Sequence, residues 1–431
     1  MTHHVILGAG PAGVIAAETI RKLSPHDTIT IIGDEPEPCY SRMAIPYLLM
    51  GNIDESGTYL RKSPTHFADL KINMLQALVK SVIAATKTIV LSNGETVVFD
   101  TLLVATGSHP IRPPIAGIDA PGVHPCWTLA DARAIMALAT PGARVLQLGA
   151  GFIGCIIMEA LAARGVHLSV VEMGDRMVPR MMGPTAGGMI REWCETKGVE
   201  VFTGTKVESI EAGTPLTVRL SNGKTMQADL VISAAGVRPA IGFLENSGIT
   251  CLLGVLTDEH LQTNVPGIFA AGDCAEAFDK VSGKTIVSAI QPNASEQARV
   301  AATNMVAYAA GREAQTSLPG VTQINVLDTL GLISASFGDW QGALGGEHVE
   351  LTDKEQGRHL SLQFRDDVMV GCNSVGWTQH LGVMRGLVEG QVKLGAWKDI
   401  LMRDPTRLKA AYLACAQGQG DWSGPLDVHK R

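Results

Sequence analysis

Two six-residue glycine turns carry the strongest chemical signal in this chain. The first is Gly8-Ala9-Gly10-Pro11-Ala12-Gly13 and the second is Gly149-Ala150-Gly151-Phe152-Ile153-Gly154, beginning 141 positions later. Glycines at this spacing suit a pyrophosphate: the first permits a tight turn, the second lets the backbone approach the phosphates, and the third brings helix and strand together. The phosphates then lie at the positive N-terminus of the helix. Carboxylates follow each turn. Asp34 and Glu35 can accept hydrogen bonds from a ribose, and Glu172 stands 23 positions after Gly149, near the spacing of about 20 at which an acid meets the 2′-hydroxyl of NAD. A 2′-phosphate would be repelled by Glu172, which favours NAD(H) over NADP(H). Asp273, after Gly272, can accept from a polyol hydroxyl, and Thr106-Gly107 offers a similar strand end to a ligand.

Elements of the right kind surround these residues. Val5-Ile6-Leu7 reads as a buried strand before the first turn, 14–23 as a helix after it, and 28–32 as a second strand ending at Gly33-Asp34-Glu35. The second copy repeats the order with strand 143–148, helix 155–164 and strand 168–171 running into Glu172. Apolar strands 102–105 and 268–271 end at Thr106-Gly107 and Gly272-Asp273. Two nucleotide sites in one chain imply electron transfer between two cofactors, because hydride passes between a flavin and a nicotinamide when the rings stack.

Composition narrows the class further. The chain has 431 residues, 46% apolar and 18% charged, with 47 glycines, enough for two or three globular domains. A net charge of -7, with no cluster of five or more Lys/Arg, argues against nucleic acid or an anionic membrane as partner. Met1-Thr2-His3-His4 leads straight into an apolar strand, so no secretory signal is expected. No apolar run approaches a membrane span, and a cytoplasmic location follows as the expectation. The eight cysteines are scattered with no Cys-x-x-Cys, which argues against a bound metal or cluster and for buried reduced thiols.

Taken together, the motifs Gly8 to Gly13, Ala105-Thr106-Gly107-Ser108-His109-Pro110, Gly149 to Gly154 with Glu172, Ala235-Gly236-Val237-Arg238-Pro239 and Ala271-Gly272-Asp273-Cys274-Ala275 resemble the FAD- and NAD(P)-dependent pyridine nucleotide oxidoreductases. The resemblance spans nearly the whole chain. It implies an α/β fold: two Rossmann-like dinucleotide-binding domains, the FAD domain (1–111 and 243–317) interrupted by the NAD domain (112–242), plus a C-terminal α+β interface domain (318–431). It also implies that Gly8, Gly10, Pro11, Ala12, Gly13, Asp34, Glu35, Arg42, Val79, Thr106, Gly107, Gly272 and Asp273 contact FAD. Val79, on an expected strand 75–82, is placed at the adenine. Gly149, Gly151, Phe152, Ile153, Gly154 and Glu172 fall to NAD(H), and Gly236 is a further cofactor contact.

Departures from the family pattern decide the chemistry. The run Cys39-Tyr40-Ser41-Arg42-Met43-Ala44-Ile45-Pro46-Tyr47 resembles the branch of coenzyme A disulfide reductase and NADH oxidase, but the position of the redox cysteine holds Met43. A thioether forms no thiolate, mixed disulfide or sulfenic acid. Cys39 is read as a packed or surface thiol. Pro11 occupies the place of a histidine found in the oxidases and peroxidases, and His3 and His4 are expected to be a solvated or strand-end pair. Ile156 replaces an acid that relatives carry near the nicotinamide carboxamide, with Glu159 one helical turn on as an ordinary helix acid. No residue reads as a catalytic proton donor.

What remains is a flavin acting without a thiol, the pattern of rubredoxin and ferredoxin reductases. The expected function is therefore electron transfer between NAD(H) and an iron–sulfur or rubredoxin/ferredoxin-type protein. The flavin subunit of a multi-subunit 2-oxoacid oxidoreductase of the phenylglyoxylate dehydrogenase kind is one form of it. The alternative is a self-contained NADH-dependent reductase of a small disulfide or oxygen-type acceptor, using Cys39. A third reading, motivated by Ile156, is an FAD-binding scaffold that no longer transfers hydride. In the C-terminal third, strands 322–328 and 332–337, a hairpin 359–364/368–371 and helices 381–392 and 397–402 are expected. They would form a homodimer or hetero-oligomer contact, with Trp422 in a polar tail as a partner anchor.

Overall fold

The computed structural model describes residues 1–419, which fall in two compact units. One is Met1–Ile111 with Val237–Val321, and the other is Arg112–Gly236 with the chain from Thr322 onward.

In the first unit a five-stranded sheet runs in the order Ile268–Ala270, Thr101–Val104, His3–Leu7, Thr28–Gly33, Ile72–Gln76, with every neighbouring pair parallel. Its strands are nearly continuous apolar runs because both faces are covered. Ile6, Ile31, Leu103 and Phe269 pack on one face with Ala12, Ala16 and Ala17 of helix Pro11–Leu23 and Ala298 and Ala301 of helix Gln291–Ala309. Val5, Leu7, Ile32, Leu102 and Val104 pack on the other with Val82, Ile89 and Leu91 of a small antiparallel sheet.

The expected strand 75–82 is in fact two. Strand Ile72–Gln76 closes the parallel sheet, and Val79–Ile83 opens the antiparallel one. The switch lies between Ala77, whose N–H still donates to Gly33 O, and Leu78, whose carbonyl accepts from Ser92. His3 and His4 open the first strand, as the strand-end reading had it, but His4 is not solvated. It is fully buried, with Nδ1 2.7 Å from Thr101 Oγ1 and Nε2 3.3 Å from Asp27 Oδ2. Strand pairing with Thr101 and Ile29 on either side draws it inside.

The second unit repeats the parallel plan in the order Glu200–Phe202, His167–Val171, Arg144–Leu148, Leu230–Ser233, Val123–His124. Helix Phe152–Ala163 follows the second turn. A five-stranded antiparallel sheet completes the unit: Ile324–Thr329, Leu332–Gly338, Val368–Val375, Arg358–Arg365, Glu347–Asp353. Strand pairing aligns Asn325, Ser336, Asn373, Ser361 and Glu350 in one polar row. Asn373 uses both ends of its amide, accepting Gly183 N–H at 2.8 Å and donating to Met181 O at 2.9 Å.

The expected hairpin is present with longer arms, while Glu347–Asp353 is a strand not foreseen, its outward positions being polar. The helix expected over 381–392 ends at Glu389, and helices Trp397–Arg403 and Leu408–Gln419 follow. Trp422 lies outside the described residues. Among the described residues no helix is long and apolar enough to cross a membrane, and no group of three or more His, Cys, Asp or Glu could hold a metal ion.

Candidate functional site

The two glycine turns are built alike. Gly8 has φ +110, and a Cβ there would lie 2.1 Å from Ala105 O, while one on Gly13 would lie 1.9 Å from Gly8 O. Gly149 has φ +97 with Ala234 O 2.4 Å from a Cβ, and Gly154 would meet Gly149 O at 2.6 Å. The outer glycines are thus dictated by close backbone approach. The middle glycines differ: at Gly10 and at Gly151 a Cβ would meet nothing within 4 Å. Each is the N-cap of its helix in extended conformation, neither helix end is capped by a side chain, and neither has an acid in its first turn. Uncapped N–H groups at a positive helix end, facing open space, fit a pyrophosphate at both turns. Pro11 and Ala12 open the first helix, and Phe152 and Ile153 the second.

The acids after the turns are not equivalent. Register pairs Leu7 with Ile32 and Leu148 with Val171, so the counterpart of Glu172 in the first copy is Gly33, and Asp34 and Glu35 come one and two residues later. Asp34 is exposed. Glu35 accepts from Tyr40 Oη at 2.6 Å and from Arg42 Nη2 at 2.7 Å, and the Arg42 guanidinium lies 5.9 Å from the Tyr40 ring centre. Glu172 reaches back to its own turn, Oε2 accepting Ala150 N–H and Oε1 accepting Gly174 N–H, each at 2.7 Å. Each oxygen keeps a lone pair for a ribose hydroxyl.

The other strand ends gather beside the first turn. Gly107, at φ +66, accepts Ala240 N–H through its carbonyl, and Thr106 Oγ1 donates to Ala240 O at 2.8 Å. Asp273 accepts from Ser108 Oγ at 3.2 Å. Burial pushes its carboxyl above the usual range, tempered by Ser108 and by the Arg42 charge. Val79 pairs with Leu91 at the start of its strand, and Gly236 has φ +102.

Two glutamines escaped the sequence reading. Gln147 is fully buried and donates from Nε2 to Gly149 O at 2.9 Å, while Gln297 accepts Gly272 N–H at 2.7 Å. A polar residue inside the strand Val145-Leu146-Gln147-Leu148 was a signal for the first; an alanine-rich helix gave little for the second.

The thiol question has a geometric answer. Met43 is 52% exposed, whereas Cys39 is 7% exposed and burial pushes its thiol up to about 11. All eight cysteines are free, and burial raises those at 126, 194 and 372 to about 12. Ile156 is half-buried on helix Phe152–Ala163. Glu159, one turn on, has its carboxyl raised by burial and then by the charge of Asp328.

Comparison with known proteins agrees with this geometry. A family profile described as pyridine nucleotide-disulphide oxidoreductase matches residues 2–304. The NADH-dependent phenylglyoxylate dehydrogenase subunit epsilon of Aromatoleum evansii is 30% identical over 408 residues, 94% of this chain and 95% of its own. An NADH oxidase of Methanocaldococcus jannaschii is 32% identical over 322 residues, 70% of this chain and 69% of its own. Among solved structures, the covalent putidaredoxin reductase–putidaredoxin complex superposes with a TM-score of 0.86 at 23% identity, covering 96% of this chain and 99% of that one.

Proposed function

Because the chain belongs to the pyridine nucleotide-disulphide oxidoreductase family, we propose that it is an FAD-dependent NAD(H) oxidoreductase exchanging electrons with an iron–sulfur or rubredoxin-type protein. In its most specific form it is the flavin subunit of a multi-subunit 2-oxoacid oxidoreductase in the cytoplasm, after the phenylglyoxylate dehydrogenase subunit that it resembles along almost its full length. FAD supplies hydride exchange with the nicotinamide and one-electron exchange with a metal centre.

One observation carries the choice of partner. Where the thiol branch keeps a redox cysteine this chain has exposed Met43, and its nearest thiol, Cys39, is buried and protonated. A thiol relay therefore has neither its nucleophile nor a thiolate at neutral pH, so a bound flavin would have to exchange electrons with the partner without one. In this reading residues 1–111 and 243–317 hold FAD, 112–242 hold NAD(H), and 318–431 form a subunit contact.

The residues divide the work of binding. Backbone N–H groups from Gly10 to Gly13 and from Gly151 to Gly154 receive the two pyrophosphates. Glu35 with Arg42, and Asp273 with Ser108, hold the ribose and the polyol of FAD. Glu172 accepts the ribose hydroxyl of NAD(H) and repels a 2′-phosphate.

The experiment is purification of the protein from its source under mild conditions, with iron and subunit content assayed beside anaerobic NADH reduction of the flavin. Co-purifying iron–sulfur subunits support the complex. A flavin that NADH does not bleach overturns the oxidoreductase reading. The likeness to an NADH oxidase favours a second reading, a self-contained reductase of a small acceptor, and turnover lost in Cys39→Ser would select it.

A further inference from the structure

Helix Gln291–Ala309 packs along helix Pro11–Leu23 through alanines, among them Ala294, Ala298 and Ala301 on one side and Ala12, Ala16 and Ala17 on the other. Into this seam of methyl groups the helix sets Gln297, only 1% exposed. Its Oε1 accepts the N–H of Gly272 at 2.7 Å. Gly272 stands at φ +82, and a Cβ there would be 3.3 Å from the Ala12 methyl and 3.6 Å from that of Ala294. One side-chain hydrogen bond thus fixes the Gly272-Asp273 turn to helix Gln291–Ala309, which itself packs on the helix that opens at the first glycine turn.

The other end of the amide is unaccounted for. Gln297 Nε2 is buried and has no hydrogen-bond partner among the described residues. Leucine or methionine would fill the seam without that cost, since a buried amide N–H without an acceptor loses its full hydration. Beside this seam lie Ala12 and Gly272, both elements of the FAD cradle. A dinucleotide pyrophosphate is rich in acceptor oxygens and brings ordered water with it.

We propose that Gln297 positions FAD through both ends of its amide: Oε1 holds the Gly272-Asp273 turn, and Nε2 donates to the bound dinucleotide or to a water it orders. The inference rests on the FAD reading above. It adds a residue from the helix that follows the strand motifs, outside the glycine turns and the carboxylates.

The test uses the full chain, deflavinated, titrated with FAD by quenching of flavin fluorescence from pH 5 to pH 8, alongside thermal melts of the apoproteins. Gln297→Glu keeps an acceptor for Gly272 and the shape of the side chain. Ionised, it has no donor and sets a negative charge at Nε2; protonated, it regains an O–H donor there. Its FAD affinity is expected to fall about tenfold at pH 8, the loss of one hydrogen bond to a charged acceptor, and to recover toward pH 5. Gln297→Met should lose affinity at every pH. A pH dependence absent from the wild type and from Gln297→Met is the signature of the donor. Wild-type affinity of Gln297→Glu at every pH overturns the inference, as does an equal, pH-independent loss in both variants. Failure of wild-type apoprotein to bind FAD overturns the cofactor reading instead.

Discussion

The carboxylate of Glu172 accepts the backbone N–H of Ala150 at 2.7 Å, fastening the acid at the end of one strand to the glycine turn at the end of its neighbour. The same group thus shapes the turn and, in the proposed function, would accept from the ribose. Glu172→Gln should keep the bond to Ala150 while removing the charge that repels a 2′-phosphate, so NADPH becomes a donor and NADH binding falls by roughly tenfold or less. Glu172→Ala should cost more for NADH, because Ala150 N–H is orphaned. Rates of anaerobic flavin reduction against NADH and NADPH concentration measure both; unchanged NADH preference in Glu172→Gln would contradict the role.

Substitutions at Gly10 and Gly13 separate binding from folding. A methyl on Gly13 would fall 1.9 Å from Gly8 O, so Gly13→Ala is expected to destabilise the fold by about 3 kcal/mol, the upper range of overpacking. At Gly10 a methyl meets nothing within 4 Å and the backbone is extended, so Gly10→Ala should melt like the wild type yet bind FAD poorly, its methyl standing where phosphate approaches. Melting temperature and flavin content of the two purified variants check this; a flavin-replete Gly10→Ala would show that the cradle lies elsewhere.

Cys39 should be chemically silent. With its thiol near 11, on the order of one molecule in 10,000 carries a thiolate at pH 7. Iodoacetamide is expected to leave it unmodified in the folded protein, and Cys39→Ser to transfer electrons from NADH to a rubredoxin or ferredoxin at the wild-type rate. Mass spectrometry after alkylation and a cytochrome-linked assay report the two outcomes.

Acid should unfold the first unit in two stages. Burial lowers the pKa of His4 below its ordinary 6.5, against the opposing pull of Asp27. The unfolded chain therefore takes up a proton that the folded chain refuses, and stability falls as pH drops below about 6.5. Glu18 behaves as a depressed carboxyl: burial raises it, but hydrogen bonds from Arg61 and His66 outweigh this and hold it below 4.5. Its contribution is present above that value and is lost as pH falls through the folded pKa. Thermal melts between pH 8 and pH 2 should show both slopes, and His4→Gln should flatten the first alone.

Legibility in the sequence followed locality. The turns, the strands before them and the helices after them were readable because each is a contiguous run whose glycines have local steric reasons. Glu172 was readable by spacing. The hold of Tyr40 and Arg42 on Glu35 was not, since it depends on how a loop folds back, nor was the burial of His4, which needs Thr101 and Asp27 from distant segments. The break between Gln76 and Val79 hid because the whole stretch has strand character; only pairing partners, Gly33 on one side and Ser92 on the other, distinguish two sheets. Strand Glu347–Asp353 alternates His348, Glu350 and Thr352 with Val349 and Leu351, a pattern masked by its polar content.

The first parallel sheet is closed at its edge by Ile268–Ala270, paired with Thr101–Val104, so 163 residues separate two neighbouring strands. During synthesis the ribosome must deliver everything between them before this sheet is complete. The parallel sheet of the second unit, by contrast, draws its strands from Val123 to Ser233 and can assemble from chain already released. Long-range pairing is the slow step of such folds, and domains made from contiguous chain form first. Truncation between Ser233 and Ile268 should therefore leave a translation product with an ordered interior segment and an open sheet edge, a target for chaperones and proteases.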